Sequence, residues 1–549
     1  MNLLLSPRSL SRSLRSITVL AASGCVLVAA GHLAGASIRS SAQDKRDGGE
    51  ITFGLEAENT DYCLSKAQMA ISGIQVAAAV YDTLTVPNDK GISVPYLAKS
   101  VEPNADYTEW TIGLRDGVRF HDGSSLDADA VKLNLDAYRA APGAPNGGPL
   151  FGKIFDFIAD VAVVDPLTVK VTLNTPVVAF PSYLFSDGRI GIMAPAQLNA
   201  GDDCATKMIG TGPFKLESYA QNEKTVVARN PDYWQQGFPK AAKITFVPVV
   251  DGASRVTQLA GGQLDMLDTS TALQTDALRQ LGPGTARLLT QKPGYRELSY
   301  YALLSDSKPF DNPDARLAVA LAVDKVEIDQ IRTKGMFTVA NGLMDSGVPG
   351  YLKNAGYPKH DLKKAKALVE KVKAEDGSFD VVLGDTPEPE NSAQLQLLQA
   401  QLAKAGINAR ISLFDEATLI NKALAGDIDI LQWRNLHGGY SNENDSDEYP
   451  WWSNFDTGNF INFSRFSNPE TQALLDRGRG QSAIADIKQT YTEFNKVMAK
   501  NNYIVPLWYV NWTIGYQPKV ALTLPPLPDG AGKPLFVYGR IPVLGLHKK

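Results

Sequence analysis

The sequence predicts an α/β fold that is divided into two large lobes or three smaller ones. At 549 residues the chain is too long for a single hydrophobic core. Between 361 and 434, apolar strands alternate with helices of ten or more residues, a pattern typical of parallel strands in a layered sheet. The first half instead carries short alternating strands, so we expect a β-rich region there.

The α/β segment is the clearest part of the pattern. Asp361 is a suitable N-cap for the first helix, and Gly406 is suited to end the second. Strict alternation of apolar and polar residues indicates strands between the helices. The predicted elements are a helix after Asp361, strand 379–383, helix 392–405, strand 407–414, helix 415–426 and strand 428–433.

The β-rich half is predicted from side-chain alternation and turn residues. Trp110, Ile112 and Leu114 would share one face of a strand over 109–115. Two Val-rich runs on either side of Asp165-Pro166 predict a hairpin. The other predicted elements are helix 126–140, strand 244–250, a helix ending near 260 and strand 264–267.

A short internal repeat links the two halves. Leu259-Ala260-Gly261 and Leu424-Ala425-Gly426 both end a predicted helix and precede a strand with an acidic residue. We interpret them as parts of two related α/β units. Ligands of open α/β sheets bind beyond the carboxyl ends of the strands. The pattern therefore predicts that 268–271 and 433–435 face a cleft between the lobes.

The N-terminus resembles a secretory signal. Three arginines fall within 8–15, an apolar stretch covers 17–34, and small residues then permit cleavage after Ala36 or Ala42. The predicted signal peptide is 1–42, and an uncleaved anchor helix is the alternative. We therefore expect an exported protein in the periplasm or at the cell surface.

The cysteines leave two questions open. Cys25 ends a segment, Ala22-Ser23-Gly24-Cys25, that resembles a lipobox, so lipid anchoring competes with release of the protein. Cys63 and Cys204 could form a disulfide in an oxidising compartment or stay as separate buried thiols. No Cys-x-x-Cys pair is present and histidines are sparse, so we predict no metal site and no cofactor.

Charge and motif content disfavour several functions. The formal net charge is −5, and removal of 1–42 would take away basic residues only, which argues against general nucleic-acid binding. No apolar run after residue 42 is long enough to span a membrane. A Gly-x-Ser-x-Gly motif is absent from the sequence, so we expect no enzyme, although a carboxylate pair of a secreted hydrolase stays possible.

Several segments, in order, resemble the extracellular solute-binding proteins of family 5, the peptide-, dipeptide- and nickel-binding components of ABC importers. The segment from Trp110 to Gly123, which ends Phe120-His121-Asp122-Gly123, is the most diagnostic. The other matching segments are Tyr81-Asp82-Thr83-Leu84, Gly210-Thr211-Gly212-Pro213-Phe214, Asn230-Pro231-Asp232-Tyr233-Trp234, Pro309-Phe310-Asp311, Ala315-Arg316 through Asp324-Lys325, and Val505-Pro506-Leu507.

The resemblance implies a two-lobed periplasmic-binding-protein fold of the large type-II-like form, with an extra β-rich subdomain and the ligand in the interlobe cleft. Lobe I would comprise 43–295 and 516–549, and lobe II would comprise 296–515. It also implies a monomer that delivers its solute to the permease and ATPase of an ABC importer. An exported sensor or chaperone on the same fold is the main alternative.

The resemblance further suggests a short peptide or an amino-acid conjugate as ligand. In relatives, a tryptophan precedes an aspartate that binds the peptide ammonium; Trp433 matches the tryptophan, and Asp445-Ser446-Asp447 matches the acidic stretch in part. Arg434 could pair with a ligand carboxylate. The candidate ligand-binding residues are Trp433, Arg434, Asp445, Asp447, Gly210, Thr211, Gly212 and Tyr301.

Overall fold

The computed structural model describes residues 48–435, 443–536 and 538–549, which belong to one compact unit. The predicted signal peptide, both cleavage sites and Cys25 lie outside the described residues. The described strands are β1 Glu50–Leu55, β2 Thr85–Pro87, β3 Ser93–Pro95, β4 Ala98–Pro103, β5 Glu109–Leu114, β6 Ile158–Asp165, β7 Thr168–Leu173, β8 Phe214–Ala220, β9 Lys224–Arg229, β10 Lys243–Pro248, β11 Met266–Thr269, β12 Arg287–Thr290, β13 Leu298–Leu303, β14 Thr338–Val339, β15 Asp380–Asp385, β16 Asn408–Leu413, β17 Ile430–Asn435, β18 Ile504–Tyr509, β19 Thr513–Tyr516, β20 Val520–Ala521 and β21 His547–Lys548.

Helices cover these strands and fill the connections between them. Short 3-10 turns occur at Ser186–Gly188, Gly201–Ala205, Phe455–Thr457 and Pro528–Gly530. The α-helices are α1 Ile71–Val80, α2 Ala128–Tyr138, α3 Pro149–Ile154, α4 Phe180–Tyr183, α5 Pro195–Leu198, α6 Gly252–Gly261, α7 Ala272–Gln280, α8 Pro313–Ala322, α9 Lys325–Thr333, α10 Leu362–Asp376, α11 Pro389–Ala405, α12 Glu416–Ala425, α13 Asp445–Trp452, α14 Pro469–Arg479 and α15 Ile484–Asn501.

Two large mixed sheets organise the fold. One has seven strands in the order β12-β19-β11-β1-β10-β9-β8, and the other has six in the order β14-β18-β13-β17-β15-β16. A separate four-stranded antiparallel sheet, β4-β5-β7-β6, forms the β-rich region of the first half. The α/β prediction is therefore confirmed, including parallel pairing of β15 with both β16 and β17.

Local sequence signals explain the ends of the helices. The side chain of Asp361 accepts a hydrogen bond from the amide of Lys364, 3.0 Å away, and so caps α10 as predicted. Gly406 and Gly426 follow α11 and α12 with φ of 93° and 77°, a left-handed conformation that favours glycine. The predicted alternation in β5 is also confirmed, because Trp110 is buried and Thr111 is exposed.

The two Leu-Ala-Gly segments occupy equivalent places in the two large sheets. In the seven-stranded sheet, β10 and β11 lie on either side of β1 and parallel to it, and α6 connects them along the chain. In the six-stranded sheet, β16 and β17 lie in the same way on either side of β15, and α12 connects them. In each segment, the acidic residue just before the following strand accepts a hydrogen bond from a backbone amide of the central strand. Asp265 accepts from the amide of Thr52 at 2.9 Å, and Asp429 accepts from the amide of Val382 at 2.7 Å.

The chain passes between the two large sheets twice, at 291–297 and at 510–512. The passages are bonded to each other, because the indole of Trp512 donates to the Glu297 carboxylate at 2.8 Å. Because β19 belongs to the seven-stranded sheet, its residues 513–515 lie with lobe I, although the prediction assigned them to lobe II. The lobe assignment as a whole stays a prediction.

Cys63 and Cys204 are disulfide-bonded and fully buried. The bond joins the loop before α1 to the 3-10 turn Gly201–Ala205, and the amide of Tyr62 donates to the carbonyl of Ala205 beside it. Across the parts of the chain that the structure describes, no helix combines the length and apolarity needed to cross a membrane.

Candidate ligand cavity between the two sheets

A cavity of about 360 Å³ opens between the two large sheets and both passages of the chain. Its size falls in the range that small-molecule sites occupy. Both sheets supply its wall at the carboxyl ends of strands: Glu56 follows β1, Ser270 follows β11, Asp385 ends β15, and 432–435 end β17. The predicted approach of 268–271 and 433–435 to one cleft is thus seen for Ser270, Thr271 and all of 433–435.

Trp433 presents an aromatic surface to the cavity. Its ring packs edge-to-face on Phe463, with centroids 4.9 Å apart, and the side chain is only partly buried. Its indole nitrogen has no hydrogen-bond acceptor among the described residues. Trp433 therefore offers a flat apolar face to a solute.

Arg434 reaches the cavity among several carboxylates. Its guanidinium lies 3.8 Å from Glu297 and 5.7 Å above the ring of Trp512. Burial alone would lower the pKa of Arg434, but Glu297, Glu56 and neighbouring carboxylates outweigh burial and raise it. The side chain keeps 42% of its surface exposed, so a charged guanidinium is accessible from the cavity.

A buried charge cluster forms the opposite wall. Glu56 lies 3.1 Å from Arg255 and accepts two hydrogen bonds from Ser270, one from its amide and one from its hydroxyl. Asp268 sits behind them and accepts from the amide of Glu56. Burial, with the nearby charge of Glu56, raises the pKa of Asp268 to about 8. These contacts fix Glu56 in place as part of a rigid polar surface.

Several buried oxygens on the wall lack a hydrogen-bond donor among the described residues. Their side chains are more than nine-tenths buried, so each oxygen is costly unless a bound molecule donates to it. They are Gln274 Oε1, Asp385 Oδ2, Gln432 Oε1 and Asn435 Oδ1. The wall therefore combines buried polar groups with aromatic and aliphatic side chains.

The structure places the predicted acidic residues away from this wall. Asp445 begins α13, where its carboxylate pairs with Arg479 at 3.2 Å and accepts from the hydroxyl of Tyr183 at 2.9 Å. Asp447 is buried in the same first turn. Neither residue contributes to the cavity wall. Because Asp445 is already neutralised by Arg479, we leave both aspartates out of the candidate site.

The glycine-rich segment also lies elsewhere, for a steric reason. A Cβ on Gly210 would stand 2.2 Å from the carbonyl oxygen of Val80, and one on Gly212 would stand 2.4 Å from its carbonyl carbon. Thr211 between them donates to Asp82, and the ring of His121 bonds the carbonyl of Gly212. The segment is a close backbone contact with the end of α1, not part of the wall.

Tyr301 lies outside the wall as well. It is fully buried in β13, and its hydroxyl accepts from Gln394 at 3.4 Å. Sequence reasoning also missed wall residues, above all Asp385, Glu56 and Arg255. The rule that ligands bind beyond strand ends could have identified Asp385, because it lies two residues beyond the predicted strand 379–383. Glu56 and Arg255 carried no comparable motif.

No group of three or more metal-ligating side chains occurs in the part of the chain that the structure describes. Two α/β sheets that enclose a polar cavity, joined by two passages of the chain, define a two-lobed solute-binding protein. The chain belongs to a family of that class. Residues 93–460 match the model described as bacterial extracellular solute-binding proteins, family 5 Middle.

Known relatives are similar to this chain over part of its length. The Glutathione-binding protein GsiB of Salmonella paratyphi A is 32% identical over 328 residues, which cover 60% of this chain and 62% of the relative. The match therefore spans about three fifths of this curated relative. GsiB of Pectobacterium atrosepticum is 30% identical over 319 residues, 58% of this chain and 60% of that protein.

Solved structures are similar over most of the chain. The binding protein AgaA of A. tumefaciens R10, in complex with agropinic acid, has a TM-score of 0.77 and 27% identity and covers 86% of this chain and 94% of its own. DppA from Helicobacter pylori, in complex with the peptide STSA, has a TM-score of 0.79 and covers 92% of this chain and 100% of its own. At 21% identity, DppA supports the fold alone.

Proposed function

We propose that this protein captures a small polar solute, either a short peptide or an amino-acid conjugate, and delivers it to the permease of an ABC importer. The cavity carries this proposal: both sheets direct strand ends into one space that is lined by charged, polar and aromatic side chains. A concave site of this kind, with a few convergent polar groups, suits a small solute.

The chemistry of the wall supports a ligand with several polar groups. The exposed guanidinium of Arg434 supplies donors to the space, and the exposed carboxylate of Glu416 supplies acceptors. The partly buried ring of Trp433 provides an aromatic face for apolar contact. Relatives named for glutathione and solved with agropinic acid fit the same description of a small polar ligand.

Family 5 proteins are binding proteins, and the site favours that role here over catalysis. Arg434 has Glu297 beside it, and Glu56 is held by Arg255 and Ser270, so these groups are positioned to orient a solute. His121 is engaged with the Gly210–Gly212 segment, and burial lowers its pKa to about 4. We accordingly propose that the solute is returned unchanged.

Export and the importer partnership belong to the same proposal. The family description is extracellular, in keeping with the predicted signal peptide over 1–42. We propose a periplasmic or surface-associated monomer that works with a permease and its ATPase; lipid attachment at Cys25 is the alternative to release. Mass spectrometry of the mature N-terminus distinguishes them, because a diacylated Cys25 would contradict release.

Trp433→Ala is expected to weaken solute binding by about 10–100-fold, because it removes a large aromatic contact. The melting temperature should change little, since the side chain is only partly buried. Tyr351→Ala is the matched control: it removes an exposed ring outside the cavity wall. Titration calorimetry checks both variants, and unchanged affinity for Trp433→Ala would remove this residue from the site.

The proposal itself is tested by calorimetry of ligand-free protein against dipeptides to pentapeptides, glutathione and an opine. We expect heat and a dissociation constant for at least one peptide or amino-acid conjugate, with the solute recovered intact. Heat with a sugar alone would contradict the ligand class. Conversion of the solute into a product would contradict the binding role in favour of a hydrolase.

A further inference from the structure

The charges on the cavity wall are unbalanced. The described residues of the wall carry six carboxylates and four guanidinium groups, and two pairs, Glu56 with Arg255 and Glu297 with Arg434, account for four of these groups. The other carboxylates all come from the lobe of the six-stranded sheet. They are Asp385, Glu388, Glu390 and Glu416; the remaining guanidinium groups of the wall belong to Arg189 and Arg332, and the charge of Arg434 also acts on Asp385 and Glu416.

Asp385 is the most constrained of these carboxylates. It ends β15 and is 5% exposed. Its Oδ1 accepts from the amide of Thr386 at 2.7 Å, whereas its Oδ2 has no donor among the described residues. The pairing of Gly384 with Leu431 places Asp385 beside Gln432, whose Oε1 also lacks a donor. Two oxygens on adjacent strands at this edge of the cavity therefore lack a donor among the described residues.

The surroundings of Asp385 disfavour its negative charge in the ligand-free protein. Burial raises the pKa of Asp385 to about 7; the bonds from Thr386 lower it, Glu388 raises it further, and Arg434 partly compensates. Burial and the charge of Glu388 also raise the pKa of Glu416, whereas Arg434 and Arg189 act to lower it. The carboxylates repel one another, and a positive group placed among them would offset this repulsion.

We propose that the acidic pocket formed by Asp385, Glu388 and Glu416 binds a positive side-chain group of the solute, such as the guanidinium of an arginine, and that the cavity selects solutes of net positive charge. A cation there donates charge-assisted hydrogen bonds to Asp385 Oδ2 and to Gln432 Oε1. Arg434, whose charge acts on Asp385 and Glu416, is accessible from the cavity to the negative end of the solute. This inference rests on the proposed function and specifies its solute.

The test uses two dipeptides that differ only in side-chain charge, Ala-Arg and Ala-citrulline. Both carry an α-ammonium and a carboxylate, so their difference in affinity reports the guanidinium charge. We expect Ala-Arg to bind wild-type protein about 10–100-fold more tightly. Asp385→Asn should reduce this ratio to about 2-fold or less. Asp380→Asn is the control, because this exposed carboxylate lies on the same strand and bonds to Ser378 and Asn408, outside the cavity wall.

The pH profile provides a second readout. Because Asp385 has a pKa of about 7 in the ligand-free protein, binding of a cation at lower pH requires loss of a proton. Affinity for Ala-Arg should therefore fall by about 30-fold from about pH 8 to about pH 5.5. The Asp385→Asn variant should show a flatter profile. Ala-citrulline should show little dependence in either protein.

Equal affinities for Ala-Arg and Ala-citrulline, or an unchanged ratio in Asp385→Asn, would overturn the inference and leave the proposed function intact. Circular dichroism of the variant checks that it folds. Absence of heat from both dipeptides, together with heat from an anionic solute such as glutathione, would overturn the charge preference as well. Absence of binding by every peptide and conjugate would overturn the proposed function, on which the inference depends.

Discussion

Replacing Arg296 by methionine is expected to lower the free energy of unfolding by about 3–5 kcal/mol, because it leaves a buried carboxylate without its partner. Arg296 and Asp345 are 4% and 0% exposed and form two hydrogen bonds, of 2.8 and 2.7 Å. The same guanidinium bonds Asn511 at 3.2 Å, so it ties both passages between the sheets to the second lobe. Urea unfolding measures the loss.

Two variants make this result specific. Arg477→Met breaks a half-exposed ion pair with Glu493 and should cost less than about 1 kcal/mol. The double variant Arg296→Met/Asp345→Leu removes both charges and should recover much of the loss. A cost below about 1 kcal/mol for Arg296→Met alone would contradict a stabilising role for the pair.

The pair also predicts how stability depends on pH. Burial raises the pKa of Asp345, but hydrogen bonds and the charge of Arg296 outweigh burial and hold it below its ordinary value. The stabilisation is therefore complete above the unfolded pKa of about 4 and is lost as the pH falls below it.

The largest expected loss of stability follows from removal of the disulfide. The Cys63–Cys204 bond closes a loop with a sequence separation of 141 residues, which on the chain-entropy model corresponds to about 5 kcal/mol. The variant Cys63→Ser/Cys204→Ser should lose about that much in urea unfolding. Both positions are fully buried, so the serine hydroxyls add to the loss.

Reduction provides the matched control for this prediction. Dithiothreitol should destabilise the wild-type protein to a similar extent and leave the double serine variant unchanged. A loss below about 1 kcal/mol in the variant would show that the loop is held by its other contacts, such as the hydrogen bond from Tyr62 to Ala205.

Local patterns were sufficient to predict the fold where each element carries its own signal. Asp361 caps a helix and Gly426 ends one in the predicted places, because capping and left-handed glycine are determined by neighbouring residues. The rule that ligands bind beyond the carboxyl ends of strands also predicted that Trp433 and Arg434 face the cleft, and both line the cavity.

The remaining parts of the site depend on contacts between distant residues, which one sequence does not reveal. Asp445 matched an acidic motif, but Arg479, 34 positions away, neutralises it in the folded chain. Gly210 and Gly212 matched a loop motif, but in the folded chain they allow close contact with the backbone of Val80. Conversely, the pairing of Glu56 with Arg255 joins residues 199 positions apart and leaves no local signal.

A crystal structure of natively purified protein with its solute would show directly what the cavity binds. We expect one small polar solute in the cavity between the sheets, in contact with Trp433, and with its positive group beside Asp385. A solute bound elsewhere on the protein, or one in the cavity that leaves Trp433, Arg434 and Asp385 without contacts, would contradict it.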